Sequence, residues 1–232
     1  MELFFLLLTI PLYVFFMLWK WVNGMRDQQC YILDYQRYKP SDDMMAGVDF
    51  YWEVIKRNKN LGLNESKFLL KAGVTLGIGD QTYSPKIMFS GREECPKLED
   101  GLSEMDEFFH DSVAKVLLRA YISPLEIDVL LVNVSTFAAV PSPSSRIINH
   151  YKMRPDIKSF NITGMACSAS LISLEIVRNV FKLYKNMFAL LVTTDSLSLD
   201  WYPGTDKPMI LSNCLFPSGG CAILLTNNKS LK

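Results

Sequence analysis

The stretch from Lys158 to Tyr184, KSFNITGMACSASLISLEIVRNVFKLY, constrains this chain more than any other. Its first five residues, Lys158 to Ile162, predict a short strand, and Gly164 predicts a tight turn. From Ala169 the apolar residues Ile172, Ile176, Val180 and Leu183 recur at helical spacing, and Leu171, Leu174, Val177 and Phe181 widen the stripe. The spacing predicts an amphipathic helix over 169–184 that is buried on most of its circumference, with Glu175, Arg178 and Lys182 at its wetter edge. Cys167 falls in the first turn, where unpaired N–H groups and the positive dipole end favour an anion. Such a place suits a thiolate nucleophile. It also suits a small residue that fills space where helix and sheet pack closely. The residues alone leave both readings open.

The chain around that stretch alternates between helical and strand patterns. Ser103 with Asp106 reads as a relative of the capping box, opening a helix whose apolar positions run from Met105 to Ala120. Val129 to Val134 is a continuous apolar run, as expected of a strand buried on both faces. A short helix over 145–151 and strands over 188–194 and 221–226 follow. This order predicts an α/β protein with a largely parallel core sheet, carried by residues 101–232. Residues 26–100 read as a membrane-proximal cap or linker, with short helices over 49–59 and 66–74 and an exposed loop from Gly91 to Gly101. Gly77 and Gly79 make neither a dinucleotide fingerprint nor a P-loop, because the third glycine, the lysine and the βαβ placement are missing.

Residues 1–25 are expected to be a transmembrane anchor. Leu3 to Trp19 carries no charge, and about twenty residues at ~1.5 Å each would cross a ~30 Å hydrocarbon core. Glu2 stands where a signal peptide would be basic, and no small-residue cleavage site follows. Lys20, Arg26, Arg37 and Lys39 come after the segment, so the positive-inside rule places the remainder in the cytosol. The formal net charge of +0 gives no sign of a nucleic-acid partner. The five cysteines are widely spread and form no CxxC pair, so free thiols are expected, with no metal and no cofactor.

Several segments resemble the plant 3-ketoacyl-CoA synthases, the membrane-bound condensing enzymes of very-long-chain fatty acid elongation. They are CYILDYQRYKP (Cys30 to Pro40), GIGDQTYSP (Gly77 to Pro85), NHYKMR (Asn149 to Arg154), NITGMACSASLISLEIV (Asn161 to Val177) and DWYPGTDKPMILSNCLFPSGGCAILLTN (Asp200 to Asn228). The resemblance runs from about Cys30 to the end. It implies a thiolase-like fold, of which this chain holds the N-terminal half, and it assigns Cys167 as the acyl-accepting nucleophile. It also implies acyl-CoA and malonyl-CoA as substrates, and a homodimer or a dimer with a related synthase. The location implied is the endoplasmic reticulum membrane, with the soluble part facing the cytosol.

A condensing enzyme accepts an acyl group on a thiolate, takes CO₂ from malonyl-CoA and directs the resulting carbanion at the acyl thioester. In the family the thiolate's partners, a histidine and an asparagine, come from the second half of the fold, so little condensing activity is expected of this chain alone. His150, in the NHYK motif, is the candidate for an active-cleft residue, alongside a purely structural role. His110 reads as a surface residue, and Cys214 and Cys221 as packing residues. Three positions depart from the family pattern: Arg37 replaces a common cysteine, Pro217 a common basic residue, and Ala166 a common glycine beside the nucleophile. Loss of that glycine strains the turn if φ there is positive. A hydrolase elbow at Cys167 is disfavoured by the bulk of Met165. A further reading makes the chain a non-catalytic, membrane-anchored partner that modulates a full-length synthase.

Overall fold

The computed structural model describes residues 2–26, 29–137 and 139–231, with side chains in the first helix described from Ile10 to Val22. Helix α1 covers Glu2–Arg26, and strand β1 (Tyr31–Tyr38) follows. Three helices come next, α2 (Val48–Arg57), α3 (Leu63–Leu76) and the single turn α4 (Lys86–Phe89), before the long α5 (Leu98–Ala120). The remainder alternates through β2 (Ile127–Asn133), α6 (Pro143–Tyr151), β3 (Lys158–Ile162), α7 (Ala169–Leu183), β4 (Phe188–Thr194), α8 (Lys207–Leu215) and β5 (Gly220–Thr226).

The five strands form one sheet in the order β1-β5-β4-β2-β3. Strands β3, β2 and β4 run parallel, whereas β5 is antiparallel to both β4 and β1. The expected parallel core is therefore correct for β2, β3 and β4, but β5 reverses it. Strands β2 and β4 are apolar along their middles, Val129 to Val132 and Phe188 to Val192, because both their faces are covered there. On one side lies α5, with Met105, Phe108, Phe109, Val113, Val116 and Leu117 buried along one face. On the other side lies α7, whose Val177 and Phe181 pack on Val129, Leu131, Ala189 and Leu191.

The structure corrects several expectations. β1 lies within the region read as cap or linker, yet it is an edge strand of the core sheet. Its register shifts between Ile32 and Asp34, which breaks the strict alternation that marks a strand in sequence. Helix α5 starts at Leu98 rather than Ser103, because the Asp100 carboxylate accepts the Lys97 N–H at 2.8 Å and so supplies the end cap. The stretch 91–101 is accordingly not a loop throughout. Helix α7 buries a narrow stripe, Ala169, Ser173, Val177 and Phe181, and not most of its circumference. Leu171 and Leu183 on its outer side are 71% and 74% exposed.

Among the described residues no helix is long and apolar enough to cross a membrane. The transmembrane anchor expected over 1–25 falls in part on residues whose side chains lie outside the described ones.

Candidate active site

The carboxyl ends of the parallel strands converge on one end of the sheet, the usual place for a site in an α/β fold. β2 leads into Ser135 and Thr136, β3 into the turn that carries Cys167, and β4 into Asp195. Because β5 is antiparallel, its start joins them, with Gly220 opposite Thr194. A second layer covers this end: α2, α3 and α8 share a core of Tyr51, Ile55, Leu69, Ile210 and Cys214. Between sheet and layer lies a cavity of about 490 Å³. Phe50, Val54, Ile87, Met88 and Trp201 give it an apolar wall, and Cys167, Ser135, Thr136 and Asp195 line its other side.

Cys167 is exposed and sits in a 3₁₀ turn, Ala166–Ser168, that leads directly into α7. Gly164, with φ of +72°, makes the tight bend that brings the chain out of β3. The Ser168 hydroxyl donates to the Met165 carbonyl at 2.6 Å and closes the turn from inside. Ala166 has φ of +46°, so the position where the resemblance implied a glycine is a left-handed one. An L-residue pays about 1 kcal/mol or more for this conformation. Ala166→Gly is expected to raise stability by about 1 kcal/mol, read as a higher urea midpoint at unchanged slope.

The opposing loop is pinned by Asp195. One carboxylate oxygen accepts the N–H groups of Ser135 and Thr136 at 2.6 and 2.9 Å and the Thr136 hydroxyl at 3.2 Å. Asp200, nearby, has its carboxyl pKa raised by burial and by the charge of Asp195, with a Thr136 hydrogen bond opposing. On the far wall, Cys214 is buried with its sulfur 2.6 Å from the Tyr51 hydroxyl oxygen. Burial raises the Cys214 thiol pKa, so this second cysteine of the cavity is held as the thiol. Its expected packing role stands, with the addition that it lines the cavity. Among the described residues no three of His, Cys, Asp and Glu come together as metal ligands.

His150, expected as a candidate active-cleft residue, is not among the residues that line the cavity with Cys167. Helix α6 buries Pro143, Ser144 and Ile147, and His150 lies on its exposed side. Its ring stacks on that of His110 from α5, with centroids 3.6 Å apart and planes at 20°. Tyr151 holds the two helices together by donating to the His110 carbonyl at 2.9 Å. The His110 pKa is lowered, first by burial and then by His150, with Arg146 adding to the effect and Asp106 opposing it. The unfolded chain therefore binds a proton here more readily than the fold does, and stability should fall as pH drops below ~6.5. His110→Gln is expected to flatten that loss, measured as urea midpoints between pH 7.5 and pH 5.

Sequence reasoning singled out Cys167 but not Asp195, Ser135 and Thr136, which line the same cavity. Their signal was position, since each follows directly on a buried strand. It also missed Glu104, an acid one helical turn from both Gly101 and Phe108 on the buried stripe of α5.

Residues 22–232 match the FAE1/type III polyketide synthase-like family. Over its whole length the chain is 59% identical to 3-ketoacyl-CoA synthase 12 and 60% identical to 3-ketoacyl-CoA synthase 3, both of Arabidopsis thaliana. It covers 49% and 48% of those proteins, so it spans about half the length of the curated relatives it matches. Among solved structures, a CsyB variant complexed with CoA superposes with a TM-score of 0.73 at 16% identity, covering 86% of this chain and 56% of that one. The 1,3,6,8-tetrahydroxynaphthalene synthase of Streptomyces coelicolor, a type III polyketide synthase, gives 0.68 at 19% identity, with 84% and 56% covered. The fold is thus the thiolase-like α/β fold of these synthases, as the resemblance implied. With the sheet order, the cysteine turn and a match over 22–232 in agreement, the chain belongs to the FAE1/type III polyketide synthase-like family.

Proposed function

We propose that the chain carries the acyl-accepting site of a 3-ketoacyl-CoA synthase of very-long-chain fatty acid elongation, with Cys167 as nucleophile. The observation that carries this reading is an exposed cysteine at the head of α7 on the wall of a largely apolar cavity. The Cys167 thiolate attacks the thioester carbonyl of acyl-CoA, the carbonyl–sulfur bond to CoA breaks, and CoA leaves as the thiol after taking a proton. The acyl chain then lies along Phe50, Val54, Ile87 and Met88. In the whole protein, malonyl-CoA loses CO₂ and its carbanion attacks the acyl-cysteine carbonyl. That step releases the Cys167 thiolate and gives a 3-ketoacyl-CoA two carbons longer.

Membrane attachment belongs to the same proposal. The described side chains of α1 are exposed and almost all apolar, among them Phe15, Trp19 and Trp21. Such a helix would hold the chain at the endoplasmic reticulum membrane, with the α/β part in the cytosol where acyl-CoA is found.

The test of the acyl-transfer step is a stoichiometric burst. Palmitoyl-CoA added to the purified chain should release one free CoA thiol per chain. Release no faster than spontaneous hydrolysis would defeat the reading.

A second reading makes the chain a non-catalytic partner that modulates a full-length synthase. The outer side of α7 favours it, since the large apolar side chains of Leu171, Ile172 and Leu183 are exposed there. In that case Leu171→Asp with Leu183→Asp should abolish co-purification with a related synthase from membranes and leave the fold intact.

A further inference from the structure

We infer that Glu104 is a positioning residue for the Cys167 cavity, a single carboxylate on α5 that ties down two separate segments of the cavity wall. The inference rests on the reading of that cavity as the acyl site. One carboxylate oxygen of Glu104 accepts the Ser198 N–H at 2.9 Å and the Ser196 hydroxyl at 3.1 Å. The other accepts the Ser218 hydroxyl at 3.4 Å. Ser196 and Ser198 belong to the turn after β4, and Ser218 to the turn before β5. From these same turns Leu197, Ser198, Pro217 and Gly219 line the cavity that Cys167 lines.

The seat beneath the carboxylate is close-packed. A side-chain carbon on Gly101, one turn earlier on α5, would come within 2.6 Å of Leu199 and 2.9 Å of the Ser196 hydroxyl. The helix therefore rests directly on the β4 turn and brings Glu104 under both segments. A small second cavity of about 90 Å³ surrounds the carboxylate, lined by Glu104 with Tyr38, Lys86, Glu107, Asp195 and Ser218. Burial raises the Glu104 pKa, against the hydrogen bonds from Ser196 and Ser198, which favour the charged form. An acid on the apolar stripe of a core helix is costly unless its bonds are made. Here the bonds made by the carboxylate go to the two turns that supply Leu197, Ser198, Pro217 and Gly219 to the cavity wall. Glu104 does not itself line the larger cavity, so it acts through the segments it holds.

Glu104→Gln tests this, because it keeps the side-chain volume but turns an amide donor towards groups that are themselves donors. The first readout is amide hydrogen exchange, which does not depend on activity. The account predicts at least tenfold faster exchange at 196–198 and 218–219 together, with α5 and the strands unchanged. The second is palmitoylation of Cys167, expected to slow about tenfold at saturating palmitoyl-CoA, with half-saturation and the rate of alkylation by iodoacetamide unmoved. Unchanged exchange in the two segments would overturn the inference, and so would a uniform rise across α5 and the sheet, which marks a structural role only. If wild-type chain is not palmitoylated at all, the acyl-site reading falls, while the exchange pattern still decides whether Glu104 holds the wall.

Discussion

Alanine in place of Cys167 is expected to lower acyl transfer from palmitoyl-CoA by at least ~10⁴-fold, the scale on which removal of a covalent nucleophile acts. The thiolate supplies the bond in which the acyl group is stored, and no other group of the site can replace it. Cys214 lines the same cavity, but it is buried, its pKa is raised, and its sulfur contacts the Tyr51 hydroxyl. A thiol held in that form is a poor nucleophile. Because Cys167 is exposed, its truncation removes little packing, and the urea midpoint should stay where it was. A variant that retains more than a tenth of the wild-type burst of CoA would place the chemistry on a different group.

Phe181→Ala is expected to cost about 3–5 kcal/mol of stability. Phe181 is fully buried and sits between α7 and the sheet face formed by Val129, Leu131, Ala189, Leu191 and Leu225. Its carbonyl also accepts the Asn227 side-chain amide at 3.1 Å, which ties the end of α7 to the segment after β5. Removing the ring leaves a cavity that rigid strands on one side cannot fill, which is why the cost exceeds simple transfer of the lost carbons. Helix α7 also leads back to Cys167, so a loosened seat should reach the site as well. Leu183→Ala on the exposed side is the control, with an expected change within about 0.5 kcal/mol. Urea titrations of the two variants check both values, and a loss below 1 kcal/mol for Phe181→Ala would contradict this packing.

The strands that could be read from sequence are those whose physics is local. β2 and β4 are continuous apolar runs because both faces are covered, and their limits fell within two residues of the expected ones. β3 and the head of α7 followed from a turn glycine and a helical stripe. β1 escaped because the shift at Ile32 and Asp34 disturbs its alternation, and because an edge strand leaves Ile32 and Tyr35 exposed. The reversal of β5 depends on which strand it pairs with, which no local pattern encodes. The same holds at the site: Cys167 announces itself by its place before a helix, whereas Asp195 acts on residues about sixty positions away and Glu104 on residues more than ninety away. The partner of His150 is equally out of reach of its motif, since its ring stacks on His110 of another helix, forty positions away.

The central claim is that Cys167 is the acyl acceptor of this cavity. It is tested most directly by incubating the chain with palmitoyl-CoA and mapping the adduct by peptide mass spectrometry. The account predicts one palmitoyl group per chain, in thioester linkage on the peptide that contains Cys167, and none on the peptides of Cys30, Cys95, Cys214 or Cys221. Modification of the exposed Cys95 to the same extent, or no adduct on Cys167 at all, would contradict it.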